Sequence, residues 1–259
     1  MIDATITDLG PVAPVADMDP DLPGAVAEIR ADRFRATLAA TAGFASKNDD
    51  RPILAGVRVE YHPGTAVDGD DPDTGGDGYL TLVATDSFRL AAFSVPARIT
   101  GHADPVLLHP DTVAAILALV KPGVIGRNPG AVFLYNVPNL DPTEPAGVIF
   151  STGAGGSTRG QGIGGEFPNY RGLIPTFHES GGAVAINPGL VEATGKAFRV
   201  LLAGSDSPVR VSTDPHTADH PALPGGFSGR PVLFTVADTA LWPDACPDPV
   251  AAVMPTRIT

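Results

Sequence analysis

The stretch "LTLVATDSFRLA", Leu80 to Ala91, decides how this chain is read. It starts as a strand, with Leu80, Leu82 and Ala84 on one face. An acid, a hydroxyl, an aromatic and a cation then occupy Asp86 to Arg89, and apolar residues resume at Leu90. A strand that only fills a core needs none of these four. The cluster sits where two strands meet, and Asp86 is placed to hold Arg89 or, as an Asx-turn, the turn backbone.

Working outward, 259 residues suffice for one large domain or two modest ones, and 43% apolar content is that of a soluble globule. The longest apolar run is far short of the roughly 20 residues of a membrane span. The N-terminal "MIDATITDLGPVAPVADMDPDLPG" has neither a basic nor an apolar signal region, so residues 1–25 read as a flexible arm rather than a signal peptide. The single cysteine, Cys246, excludes an intrachain disulfide and a cysteine-based zinc cluster and points to a cytoplasmic location. A net charge of −12, from 29 acids against 17 bases, argues against a chain coated in nucleic acid. It leaves room for DNA contact if the bases gather on one surface.

Three polar stretches, 64–78, 137–147 and 213–226, each lie between alternating apolar segments and read as extended hairpin loops. A repeat is more informative. "AVAEIRADRFRATLAATAGFA" (25–45), "DPVLLHPDTVAAILALV" (104–120) and "GAVAINPGLVEATGKAF" (182–198) each read as a short strand followed by about three helical turns. Pro110 and Pro188 stand at first helical positions, with Asn187 as an N-cap, and Asp32, Pro110 and Pro188 recur every 78 residues. Strand-like runs follow each helix: "PILAGVRVEY" and "YLTLVATD"; "AVFLYNV" and "GVIFSTG"; "RVLLAG", "PVRVST" and "RPVLFTVA". The chain therefore reads as three strand–helix–strands units. One such unit buries only one side of its helix and sheet, so it needs a partner unit to close a core.

"LVATDSFRLA" resembles the "VATDGHRLA" signature of the bacterial DNA polymerase III β sliding clamp family, and "RPILAGVRVE" (51–60) is similar to the strand before it. "GEFPNYRGLIP" (165–175) resembles the family's "GEFPDYRRVLP", and "VAAVMPTRIT" (250–259) its "YVVMPMRL" ending. The four matches cover about four fifths of the chain in family order. Ser87-Phe88 replaces the signature's Gly-His pair, and Gly172 replaces the second Arg of "YRRV". The usual family chain has six units and this one three, so it resembles a shortened member.

The resemblance implies an α+β DNA-clamp fold, with antiparallel sheets outside and helices inside. Residues 26–175 would form one two-unit clamp domain and 176–259 a C-terminal unit. It also implies a processivity factor that encircles duplex DNA without reading its sequence, not an enzyme. Its partners would be a replicative DNA polymerase and the clamp loader, whose peptide tails enter a hydrophobic pocket. That pocket would use Leu54, Thr85, Ser87, Phe88, Arg89, Leu90, Pro168, Gly172, Leu173, Met254, Pro255 and Arg257. Arg30, Arg33, Arg35, Lys47, Lys121, Lys196 and Arg199 would face DNA phosphates, with Phe34, Leu38 and Thr41/Ala42 as the buried stripe of the first helix. The alternative is a clamp-like scaffold that binds peptides and never encircles DNA.

Family rings contain twelve units, usually as two chains of six. Three units per chain imply a homo-oligomer, a tetrameric ring being favoured over a dimer, and an odd third unit with an unpaired sheet edge.

Other constellations carry less. Asp68, Asp70, Asp71, Asp73 and Asp77 lack the Glu and flanking helices of a calcium loop. His216 and His220, with Asp214 and Asp219, have helical metal spacing in a proline-bounded stretch. "GAGGSTRGQGIGG" (153–165) lacks the Gly-Lys-Ser/Thr of a phosphate loop and reads as turn glycines around a strand containing Arg159. There is no Gly-x-Ser-x-Gly elbow, and Cys246 has no evident His partner. No cofactor, metal or membrane partner is expected.

Overall fold

The structure, a computed structural model, describes residues 26–48, 50–64, 76–101, 104–121, 130–137, 145–153, 155–171, 188–202, 209–212, 232–236 and 250–253. The first repeat comprises β1 (Val26–Arg30), α1 (Ala31–Ala42), the short helix α2 (Pro52–Ala55), β2 (Val57–His62), β3 (Gly76–Thr85) and β4 (Arg89–Thr100). The second comprises β5 (Val106–Leu108), α3 (Pro110–Leu119), β6 (Ala131–Val137), β7 (Gly147–Thr152) and β8 (Ser157–Gln161). The third contains α4 (Pro188–Leu201), β9 (Val209–Ser212), β10 (Val232–Val236) and β11 (Val250–Val253).

Every ladder is antiparallel. The strand order β5-β2-β3-β4-β1-β6-β7-β8 nearly closes on itself. Its two ends meet through a bridge between Leu108 and Gly162 and a 2.7 Å hydrogen bond from the Ile163 N–H to the Leu107 carbonyl. Half a turn of this ring exchanges β1 with β5, and β2-β3-β4 with β6-β7-β8. The first two repeats thus close one core by trading their first strands, as a one-sided unit requires.

The strands alternate with period two. Ala27 and Ile29, Val57 and Val59, Leu80, Leu82 and Ala84, Phe93, Val95 and Ile99, Val132 and Leu134, and Val148 and Phe150 all face one core. The helices cover it, α1 lying against both α3 and α4. Phe34 stacks on Phe150 at 5.6 Å, and Phe93 meets Phe44 at 6.0 Å and Phe198 at 5.5 Å edge to face. Each such ring contributes about 1.5–3 kcal/mol by burial. Thr37, Thr41 and Thr194 are buried at helix surfaces, where each hydroxyl donates to the carbonyl four residues earlier. Because α1 is flanked on two sides, its buried face is wider than one stripe: Ala31, Phe34, Thr37, Leu38, Ala40 and Thr41 are all enclosed.

Four details differ from the sequence expectation. "PILA" opens its run as a helical turn with Pro52 at the helix start, not as strand. "RVLLAG" begins inside α4, whose apolar stripe continues through Leu201. The β2–β3, β6–β7 and β9–β10 loops do join antiparallel pairs, but β3 already starts at Gly76. The third repeat is not left unpartnered: β11 pairs with β4, and Phe198 enters the shared core. Pro110 and Pro188 do start their helices, and the His109 Nδ1 accepts from the Asp111 N–H at 3.2 Å as the α3 cap. Asn187, the loop Asp68–Asp73, the His216–His220 stretch and Cys246 lie outside the described residues. Among the described residues, no helix is long and apolar enough to cross a membrane.

Gly56 joins α2 to β2 beside the seam of the ring. A Cβ there would lie 2.7 Å from the Leu108 carbonyl oxygen, 2.8 Å from Leu107 Cδ1 and 2.9 Å from Ile163 Cδ1. Gly56→Ala should therefore destabilise the fold by about 1–3 kcal/mol, read as a lower denaturant midpoint with an unchanged m value. An unchanged midpoint would show that the seam yields without cost.

Candidate functional site

The polar cluster of the opening stretch is the turn between the two longest strands. Asp86 and Arg89 are the last residues before a two-residue hairpin connection, with the Asp86 N–H donating to the Arg89 carbonyl at 3.2 Å. Asp86 Oδ1 accepts from the backbone N–H groups of Phe88 (3.0 Å) and Arg89 (2.8 Å), and its Oδ2 accepts from Arg89 Nε (3.0 Å) and Nη2 (2.7 Å). Asp86 thus holds both the turn backbone and the arginine. The Thr85 hydroxyl adds a third brace, accepting from the Ser87 N–H (3.2 Å) and donating to the Arg89 carbonyl (2.7 Å). Ser87, at φ 75°, is the one non-glycine with positive φ among the described residues, at the first central position of the turn. Glycine is favoured there. Phe88 is left 66% exposed at the tip.

Strand alternation sends the next residues to opposite faces. Arg89 lies over the Phe44 ring at 5.3 Å, on the helix side of the sheet. Leu90 turns to the outer face, where it joins Val83, Leu107, Phe167, Tyr170, Leu233 and Ala252 in a second apolar cluster. That cluster gathers β3, β4, β5, β10, β11 and the segment 166–171. Ile53, next to Leu54 on α2, packs against it.

The segment is fastened by a buried carboxylate. Arg58, Glu60 and His62 alternate along β2 with the core residues Val57, Val59 and Tyr61, so they share its outer face. Glu60 is 4% exposed, yet its oxygens are saturated. Arg58 Nε donates to Oε1 at 2.8 Å, while Tyr170 Oη (2.9 Å) and Arg171 Nη2 (2.5 Å) donate to Oε2. The Arg58 guanidinium also lies 5.7 Å from the Phe167 ring centre, and Phe167 meets Tyr170 edge to face at 6.4 Å. An open cleft of about 500 Å³ runs between this segment, the outer face of β2 and Asp104-Pro105. Burial pushes the Glu60 carboxyl up, but hydrogen bonds from Tyr170, Arg58 and Arg171 outweigh it and leave the group below its ordinary value. Burial holds the His62 imidazole below its ordinary value, helped by Arg171 and opposed by Glu60. Burial raises the Tyr170 phenol, and its hydrogen bonds to Tyr170 and Glu60 raise the Arg171 guanidinium.

Of the twelve expected pocket residues, Gly172, Leu173, Met254, Pro255 and Arg257 lie outside the described residues. Leu90 belongs to the outer cluster, Leu54 is buried on α2 next to Ile53, and Pro168 is exposed between Phe167 and Tyr170. Thr85, Ser87 and Phe88 form the turn, and Arg89 points to the other face. Sequence reasoning missed Glu60, Arg58, Phe167, Tyr170 and Arg171. The available signal was "VRVEYH", where three polar residues alternate with three apolar ones on a strand that the composition alone would bury.

The seven bases expected to face DNA lie on and beside the helices, whereas Arg58, Arg98, Arg159 and Arg171 lie on strands or on the segment 166–171. Arg33 is exposed on α1, Lys47 and Lys121 are exposed beyond α1 and α3, and Lys196 and Arg199 are exposed on α4. Arg30 pairs with Asp32 at 2.8 Å and Lys196 with Glu192 at 2.6 Å. Arg35 is half-buried rather than outward, because α1 is flanked on both sides, and its Nε is enclosed without a partner among the described residues. Helices α1, α3 and α4 together carry four bases against three acids, in a chain of net charge −12.

The fold has counterparts among solved structures. The β subunit of DNA polymerase III from Thermotoga maritima superposes with a TM-score of 0.62 at 14% identity, over 94% of this chain and 68% of that one. The chain has the sliding-clamp fold. Two structures of the Pseudomonas aeruginosa sliding clamp, one described as the DNA polymerase III β subunit, match at TM-scores of 0.60 and 0.58. Their identities are 17% and 18%, and each match covers 95% of this chain and 70% of the clamp. No protein-family model matches the sequence, and no curated protein does.

The turn and the outer face of the sheet generate two predictions. Ser87→Gly relieves a left-handed conformation that costs a non-glycine residue about 1–2 kcal/mol, part of it offset by the entropy glycine adds to the unfolded chain. Its thermal midpoint should rise by a few degrees, and a fall would show that the Ser87 side chain stabilises the turn. Glu60 and His62 both have lowered values when folded, so each contributes stability that is lost as pH falls. His62 acts first, below about pH 6.5, and Glu60 below roughly pH 4.3. Denaturation midpoints measured from pH 7 to pH 3.5 should fall in that order, and Glu60→Gln should flatten the acid limb. A wild-type limb in Glu60→Gln would show that another carboxylate sets acid stability.

Proposed function

We propose that this chain is a non-enzymatic processivity factor, a sliding clamp that holds a replicative polymerase on duplex DNA. The observation that carries this reading is the clamp fold over 94% of the chain. Exposed bases support it: Arg33, Lys47, Lys121, Lys196 and Arg199 lie on or just beyond the helices. The mechanism is topological. A closed ring needs only weak, sequence-independent phosphate contacts, and these let it slide without dissociating.

On the outer face, the proposed pocket for peptide tails of the polymerase and clamp loader is floored by Leu54 and Leu90, with Pro168, Leu173 and Met254 as further apolar contacts. The rigid Phe88 tip stands at the same turn. Arg89 acts through the turn it braces. Truncating a central apolar anchor of such a site costs on the order of 2 kcal/mol. Leu90→Ala and Met254→Ala should therefore weaken binding of a polymerase C-terminal peptide tenfold or more, as read by fluorescence anisotropy. Unchanged affinity in both removes the pocket.

A ring built from this chain requires several copies, and four copies of three units supply the twelve that the fold's full-length members use. Light scattering at micromolar concentration, and retention on nicked circular DNA after clamp loading, test it. A monomer that binds the peptide but is never retained on circles leaves the scaffold reading in its place.

A further inference from the structure

We infer that Glu60 is the positioning residue of the outer-face pocket: by anchoring segment 166–171 to β2, it sets the affinity for a peptide bound beside Leu90. This rests on the peptide-pocket reading above and adds a control residue to it.

The geometry is specific. Segment 166–171 lies more than a hundred residues from β2 in sequence, yet two consecutive side chains, Tyr170 and Arg171, converge on one carboxylate oxygen of Glu60. Arg58 takes the other oxygen and lies against Phe167. A buried carboxylate without such donors would cost several kcal/mol, so the anchor is either complete or absent. Every donor it uses lies on β2 or the segment; the segment enters the outer apolar cluster, and Arg58 of β2 lies against Phe167 of that cluster. Phe167 and Tyr170 supply two of the seven enclosed residues of that cluster, and Leu90 is another. Releasing the segment removes two aromatic rings from the cluster that contains Leu90, while the larger core on the opposite sheet face is built from other residues.

The groups facing Glu60 are Arg58 and His62 on β2 and Tyr170 and Arg171 on the segment, with Asp104 and Glu166 on the cleft rim. Asp104 and Glu166 are carboxylates like Glu60, but Arg171 pairs with Glu60 rather than with either of them. The anchor is also within reach of change: the Arg171 side chain is 65% exposed although its tip is paired, so it exchanges with water from the outer side.

Two variants test this in the full chain. Glu60→Gln keeps shape and removes the charge, and Tyr170→Phe removes one hydroxyl and keeps the ring. Trypsin cleavage after Arg171 reads the anchor directly, and anisotropy with a polymerase C-terminal peptide reads the pocket. Both variants should accelerate cleavage after Arg171, by tenfold or more for Glu60→Gln, and weaken the peptide at least fivefold, with the core cooperatively folded by calorimetry. Adding Leu90→Ala to Glu60→Gln should weaken the peptide by less than the product of the two single effects, because both act on one wall. Faster cleavage with wild-type peptide affinity would overturn the positioning role and leave the anchor as structure alone. Cleavage unchanged in both variants would overturn the anchor itself. A wild-type chain that binds no peptide would overturn the pocket reading, and the coupling with it, while the cleavage rates still report whether Glu60 holds the segment.

Discussion

Strand β4 is hydrogen-bonded along both edges, and the rest of the architecture depends on that. On one edge β3 runs beside it from Leu90 to Ile99. On the other, β11 takes Arg89–Ala92 and β1 takes Ala97–Thr100. One strand of twelve residues therefore joins the first and third sequence repeats. An edge left open would present a row of unpaired N–H and C=O groups to other chains, and here two short strands share the work of covering it. A shift of β4 by one residue would turn Phe93, Val95 and Ile99 away from the helices and break all three ladders. The braced turn before it fixes that register at its first residue. This is the physical use of an acid, a hydroxyl and a cation where a core strand needs none.

Glu60 is the counterpart constraint on the outside. A carboxylate enclosed to 4% exposure is tolerated because three donors saturate it, two of them delivered by a distant segment. Ion pairs in the open contribute little, and those enclosed are costly when incomplete. The consequence is specificity of position more than net stability: segment 166–171 has one place where its Tyr170 and Arg171 and the carboxylate are all satisfied. The same place puts Phe167 and Tyr170 in the apolar cluster that contains Leu90.

Much of the fold was legible because the sequence states it locally. The strands alternate with period two, and Pro110 and Pro188 mark helix starts that the structure keeps. What failed failed for tertiary reasons. "RVLLAG" has the composition of a strand, but Val200 and Leu201 continue the turn of α4 that carries Phe198 into the shared core. The third repeat was expected to lack a partner because a count of units cannot say that β4 is long enough to hold two strands end to end. At the candidate site, the signature pointed to Leu90, and the structure places it in the outer apolar cluster. Glu60 was not, since its meaning depends on Tyr170 and Arg171, which no local pattern connects to it. Arg89 was assigned to the pocket by motif, although adjacent residues on a strand face opposite ways.

That alternation is also what separates the two surfaces of the proposed clamp. Arg89 and Leu90 are neighbours in sequence, yet one lies over Phe44 in the helix-side core and the other lies in the outer cluster. The helix side carries few bases, and two of the seven expected for DNA, Arg30 and Lys196, are already paired with acids. Each phosphate neutralised steepens the dependence of log affinity on log salt by about 0.9, so each base already held by an acid weakens a hold on DNA by charge alone. For a protein that binds DNA by contact, this would be a defect. For one that holds DNA by topology it is the useful limit, because strong phosphate contacts would resist sliding. On that reading, weak charge on the inside and tight, anchored side chains on the outside belong to one design: mobility toward the duplex and a fixed pocket toward the partner, divided by a single sheet.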